Sequence, residues 1–163
     1  MKEVRIMGHE EVRRVLEIIS QRFSIEPKLN YVFLIDNRGK VFICSPDIVK
    51  LDLKPLWRRI QRIGLYFGFF ESSTKFRLSV EASQLLGKIA KKNVVELTEE
   101  EALKWLNGLD LERKMERGIV ILKYGDDFLG SGLSMGGKIK NLLPKERRVK
   151  RELKLGSSEE PAL

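Results

Sequence analysis

With one cysteine and one histidine in 163 residues, the chain cannot build a disulfide framework or a His/Cys metal site by itself. No metal is expected. Cys44 ends the apolar run Val41-Phe42-Ile43-Cys44, where a free thiol behaves as a small buried hydrophobe. As a nucleophile it would need a base, and His9 is distant in sequence. His9 itself stands just before an amphipathic stretch, which predicts a surface or capping position. Long apolar runs are also missing: the longest, Leu65 to Phe70, is too short to span a bilayer. The first twenty residues carry Lys2, Glu3, Arg5, Glu10, Glu11, Arg13 and Arg14, a pattern foreign to a secretory signal. A soluble intracellular protein is expected, with no membrane partner: cytoplasmic, or nuclear or nucleolar if the source is eukaryotic.

Catalytic and cofactor signatures are equally scarce. Gly130-Ser131-Gly132 is not followed by the Lys-Ser/Thr of a phosphate loop, and the glycines do not lead into a helix. Asp126-Asp127 stands between two β segments, where adjacent acidic residues are ordinary turn formers rather than an acid-base pair. Neither an enzyme nor a cofactor is expected.

What is present is positive charge. Lys and Arg number 31 against 23 Asp and Glu, a formal net charge of +8. Such a surface draws polyanions, which favours RNA, DNA or an acidic membrane, the alternative being a mixed charge kept for solubility. The excess is not even. Acidic residues crowd the stretch from Glu96 to Glu116, whereas Lys138, Lys140, Lys145, Arg147, Arg148, Lys150, Arg151 and Lys154 crowd the end, interrupted only by Glu146 and Glu152. Each cation that neutralises a phosphate releases condensed counterions, so this run predicts salt-dependent RNA binding without reading a base. The candidate contacts are Arg147, Arg148, Arg151, Lys154, Lys138, Lys140 and Lys145. A second basic group, Arg58, Arg59 and Arg62, shares a helical segment with Trp57 and could face RNA or a partner protein.

The periodicity organises the chain into two parts and a tail. Val12, Val15, Leu16, Ile19 and Phe23 recur at helical intervals. Tyr31 to Ile35 and Lys40 to Cys44 read as strands joined by Asp36-Asn37-Arg38-Gly39. Short helices are expected from Ser45 through Val49 and from Leu56 to Ile63, the latter opened by Pro55. Two aromatic-rich strands follow, Leu65 to Phe70 and Lys75 to Leu78, and then a helix carrying Ala82, Leu85, Leu86 and Ile89. The aromatic strand lacks the basic-aromatic signature of an RNA stacking platform and is read as core or as an interface with the second half. After Lys91-Lys92-Asn93 comes a strand, Val94 to Leu97, and a helix whose Thr98 and Glu101 can form a capping box. Gly118 to Tyr124, Phe128 to Leu133 and Lys138 to Leu142 complete a set of short strands with glycine turns, the pattern of a small barrel. The fold class is α+β: an N-terminal α/β domain over 1–91 with a mainly antiparallel sheet, a β pseudo-barrel over 92–155, and a mobile tail over 156–163.

The second half resembles a PUA domain, the small RNA-binding barrel of pseudouridine synthases and archaeosine transglycosylases. The likeness rests on Gly118-Ile119-Val120, on Asp127 to Gly132, and on Lys140-Asn141-Leu142-Leu143-Pro144-Lys145-Glu146-Arg147-Arg148. With Gly64, Phe67-Gly68, Phe70, Lys75-Phe76-Arg77-Leu78, Val80 and Ala82, almost the whole chain resembles the archaeal form of the Nip-seven family of large-subunit ribosome-biogenesis factors. That resemblance implies a non-catalytic factor binding single-stranded or looped pre-rRNA through Arg147, Arg148, Arg151 and Lys154. Other ribosome-assembly proteins would dock on the N-terminal domain. The Leu-Pro-Lys-Glu-Arg-Arg run is more similar to archaeal PUA domains attached to modification enzymes, which leaves open an adaptor or accessory subunit of an RNA-modification complex.

Overall fold

In a computed structural model, residues 4–47 and 64–149 are described. The first sheet is an antiparallel meander of strands β1 (Val4–Ile6), β2 (Val32–Asp36), β3 (Lys40–Cys44), β4 (Leu65–Phe70) and β5 (Phe76–Leu78), in that order. The expected hairpin is β2 and β3, closed because Asp36 Oδ1 accepts from the backbone N–H of Arg38 at 2.8 Å and of Lys40 at 2.9 Å. Strand β1 was not expected; three residues are too few to show alternation, and pairing with β2 holds them. A Cβ at Gly68 would stand 2.2 Å from the Arg77 carbonyl oxygen and 2.5 Å from Phe76 Cζ, so only glycine lets β4 and β5 close up there. Of the helix expected from Ser45 through Val49, Pro46 and Asp47 form a 3-10 turn and the residues after Asp47 lie outside the described ones. The helix expected over Leu56 to Ile63, the residues Trp57, Arg58, Arg59 and Arg62, and the tail all lie outside the described residues, as do Arg151 and Lys154.

Helix α1 (His9–Phe23) buries Val15, Ile19 and Phe23, one residue per turn on one face, against this sheet. It begins at His9, three residues before the apolar repeat, because Glu11 anchors its first turn. The Glu11 carboxylate accepts from Gly8 N–H at 3.0 Å and from the Arg5 guanidinium at 2.6 and 2.7 Å. Arg5 first and Gly8 second hold the Glu11 carboxyl down at about 2, from an ordinary 4.5. A carboxyl depressed in the folded state stabilises above its unfolded value, and the contribution fades as pH falls from about 4.5 toward about 2. Glu11→Gln is therefore expected to lower stability at neutral pH by about 1 kcal/mol or less, given the pair's exposure. Urea unfolding should show that difference vanishing near the acid end of the window; a constant difference would remove the assignment.

Helix α2 (Val80–Gly87) is capped by Ser79, whose Oγ accepts from Ala82 N–H at 3.0 Å and donates to the Tyr66 carbonyl at 2.6 Å. This cap starts the helix earlier than the apolar spacing predicts. Ile89, placed by that spacing on the buried side, lies past the helix end and is 47% exposed.

The second sheet runs in the order β6 (Val94–Glu96), β8 (Gly118–Tyr124), β9 (Asp127–Ser134), β10 (Lys138–Asn141) and β7 (Leu111–Glu112). It curls into the half-barrel expected of the PUA resemblance, and the fold is α+β. Strand β6 runs parallel to β8 and the other pairs are antiparallel. Helix α3 (Glu99–Leu106) carries the expected capping box, Thr98 N–H to Glu101 Oε1 at 3.0 Å and Glu101 N–H to Thr98 Oγ1 at 3.2 Å. Its Trp105 is fully buried among Leu97, Leu111, Val120, Leu122 and Ile139.

The two sheets share apolar packing. Ile121 of β8 is buried in the same cluster as Phe23, Phe67 and Leu86 of the first half. Polar contacts follow the seam: Ser131 Oγ donates to the Leu78 carbonyl at 2.7 Å, and Asn93 Nδ2 to the Arg22 carbonyl at 2.6 Å. Arg22 Nε donates in turn to the Ile119 carbonyl at 2.6 Å. Burial lowers the Arg22 guanidinium from its ordinary value, against an opposing pull from Glu116.

Candidate nucleic-acid interface

Strand β10 alternates exposed and buried, so Lys138 and Lys140 point outward while Ile139 and Asn141 point in. Asn141 then fixes the exit of the chain. Its Nδ2 donates to the carbonyls of Trp105 at 2.8 Å and Leu109 at 2.9 Å, and its Oδ1 accepts from Leu143 N–H at 2.8 Å. Beyond Pro144 a single 3-10 turn, Lys145–Arg147, presents Lys145 to solvent.

The predicted basic residues divide by what their charge touches. Arg147 Nη1 donates to Glu81 Oε1 of α2 at 2.5 Å, an ion pair across the seam. Arg148 is half-buried; its Nε donates to the Leu143 carbonyl at 3.0 Å and its side chain covers Gly108. Lys138 sits 3.5 Å from Asp110. Lys140 and Lys145 form no ion pair with the described carboxylates. Arg147 and Arg148 thus each commit one donor to the fold, and the lysines hold the less encumbered charge.

The register links this basic edge to a feature that sequence reasoning missed. Ile119 pairs with Leu133, and Leu133 with Lys140, so the three share one row across β8, β9 and β10 on one face of the sheet. Leu133 and Ile119 line a cavity of about 500 Å³ between the two halves, whose far wall is Ile18 of α1 and Phe76 of β5. Lys75 and Arg117 stand on its lining, both exposed and without an ion pair to a described carboxylate, whereas Arg77 is paired with Glu71. Lys75 and Arg117 are 42 positions apart in the chain, and no local pattern joins them. The Lys75-Phe76-Arg77-Leu78 motif was the one available hint.

Candidate chemistry elsewhere is thin. Cys44 is 5% exposed and burial pushes its thiol up, away from a reactive thiolate. Among the described residues no group of three His, Cys, Asp or Glu side chains could hold a metal ion. No helix among them is long and apolar enough to cross a membrane. Asp126 occupies the two-residue turn with Gly125, whose φ is 58°, while Asp127 opens β9 opposite Tyr124.

Comparison with known proteins places the second half. Residues 92–149 match the family described as the methyltransferase RsmF PUA domain. Most of the chain is similar to the ribosomal RNA small subunit methyltransferase F of Vibrio cholerae serotype O1 (strain M66-2), 28% identical over 142 residues, covering 85% of this chain and 29% of that protein. The protein of the same name from Shewanella piezotolerans is 29% identical over 140 residues, covering 83% of this chain and 28% of its own. The chain spans less than a third of the length of these relatives. Aligned stretches of 142 and 140 residues are too long for 92–149 alone, so the likeness takes in part of the first half. These findings fit the PUA expectation and not the Nip-seven family. Residues 92–149 form a PUA domain of the methyltransferase RsmF type.

Proposed function

We propose that this chain is an RNA-binding protein without a catalytic centre of its own, holding single-stranded or looped ribosomal RNA during ribosome biogenesis. The observation that carries this is the outward row Lys138 and Lys140, continued by Lys145, on a domain of PUA type. Arg147, Arg148, Arg151 and Lys154 are the further proposed contacts. Phosphates would meet the lysine ammonium groups as point charges, and the free edge of the Arg147 fork could grip one bidentately.

A second reading has specific support: the similarity to proteins named as methyltransferases runs beyond the PUA domain. On it, the chain presents RNA to a modification enzyme as an accessory subunit, the first half docking the partner. The two readings share the RNA surface and differ in what the first half touches.

The test is binding of the purified chain to a looped ribosomal RNA hairpin across a salt series. The expected result is a linear fall of log K with log salt, about 0.7 per phosphate contacted. Absence of binding at low salt would overturn the RNA reading, and nucleoside conversion by the chain alone would overturn the non-catalytic one. A stable protein complex surviving nuclease would favour the accessory reading.

A further inference from the structure

The cavity between the halves has walls and a rim of different character. Ile18, Phe76, Ile119, Leu133 and Met135 make most of its surface apolar, while Lys75 and Arg117 place unpaired positive charge beside it. Its volume of about 500 Å³ falls within the range of about 300–1,000 Å³ typical of small-ligand sites. Thr74 and the Glu71–Arg77 pair add donors and acceptors on the β5 side. An occupant matching this set is flat and apolar in its body, polar along an edge, and negatively charged. A nucleotide has all three properties, whereas an aliphatic peptide or lipid chain would leave the polar edge unmatched.

Continuity with the basic edge decides between a free nucleotide and one belonging to a chain. Lys140 lies in the same cross-strand row as Leu133, so the phosphate-binding surface and the cavity wall are neighbours on one face, about 4.8 Å apart from strand to strand. A strand crossing β10 would reach the opening directly.

We infer that this cavity receives one unstacked nucleotide of the bound RNA, its base among Ile18, Phe76, Leu133 and Met135 and its phosphate at Lys75 and Arg117. This rests on the RNA-binding reading above and assigns its preference for unpaired RNA to a site at the seam. Extrusion of a base carries an unstacking cost that is least in loops, so the site selects looped over duplex RNA.

The experiment uses the full chain with a hairpin whose loop is unpaired and a duplex of equal charge, together with the methyl NMR signal of Met135, assigned through Met135→Leu. For the parent, looped RNA should bind more tightly than duplex and shift the Met135 signal. Ile18→Trp, which fills the cavity from α1, should reduce the looped-over-duplex preference about tenfold, as expected for loss of one stacked base, while leaving the salt slope nearly unchanged. Arg117→Ala should lower that slope by about 0.7. Looped RNA that binds without moving Met135, or a preference unchanged in a folded Ile18→Trp, overturns the inference and leaves RNA binding standing. A shift with a nucleoside 5′-monophosphate but none with RNA overturns it in favour of a free-nucleotide site. No RNA binding in the parent removes both readings. If Ile18→Trp does not fold, the Met135 response of the parent decides.

Discussion

Trp105→Ala is expected to destabilise the protein by about 3–5 kcal/mol, a large share of the roughly 5–15 kcal/mol that holds a domain folded. The indole is fully buried in the barrel cluster, and its Nε1 donates to the Leu129 carbonyl at 3.0 Å. Truncation removes the apolar filling and leaves that carbonyl without its partner, so the loss exceeds simple transfer of the side chain to water. It also unsettles the interface. The Trp105 carbonyl accepts from Asn141, the residue that sets the exit of the chain toward Lys145. The thermal midpoint should fall by about 6–20 °C, measured by calorimetry. Trp105→Phe, keeping most of the apolar volume, should recover more than half of the loss. A midpoint within about 2 °C of the parent for the alanine variant would show that the ring is not the centre of the barrel core.

The combined variant Lys138→Ala, Lys140→Ala and Lys145→Ala is expected to lose about a hundredfold in affinity for single-stranded RNA near 0.1 M salt. Three fewer phosphate contacts lower the slope of log K against log salt by about two, and that slope acts over about one decade between 0.1 M and 1 M. Stability should barely change, because all three side chains are exposed and only Lys138 has a carboxylate nearby. Arg147→Ala should behave differently: the seam pair with Glu81 is lost, and the salt slope drops by at most one contact. A triple variant with the parental slope would move the RNA surface away from β10 altogether.

How much of this was legible in the sequence depends on how locally each feature is encoded. Val15, Ile19 and Phe23 announce α1 by spacing alone, and Thr98 with Glu101 announces α3 by a cap closed within one turn. Hairpin β2–β3 was equally plain, since Asp36 and Gly39 carry their turn chemistry within four residues. Strands β1 and β7 were invisible because they exist only through their neighbours. The α2 end was misjudged by following the apolar spacing on to Ile89, which lies past the last helical residue, Gly87. Charge counts marked the basic end, but not that Glu81, 66 positions earlier, engages Arg147. The cavity was beyond reach because its walls come from both halves, and only strand register puts Lys140 beside Leu133. The PUA motif was readable because its residues are contiguous, whereas the larger family assignment leaned on scattered matches in the first half and did not survive comparison.

Ile121 belongs to the barrel by sequence and to the first half by packing, and Ser131 spends its hydroxyl on Leu78. Cutting the chain at Lys91-Lys92-Asn93 would therefore not liberate a self-sufficient barrel. It would bare Ile119, Ile121 and Phe128 on one fragment and uncover Phe23, Phe67 and Leu86 on the other, so the halves rise and fall as one cooperative unit.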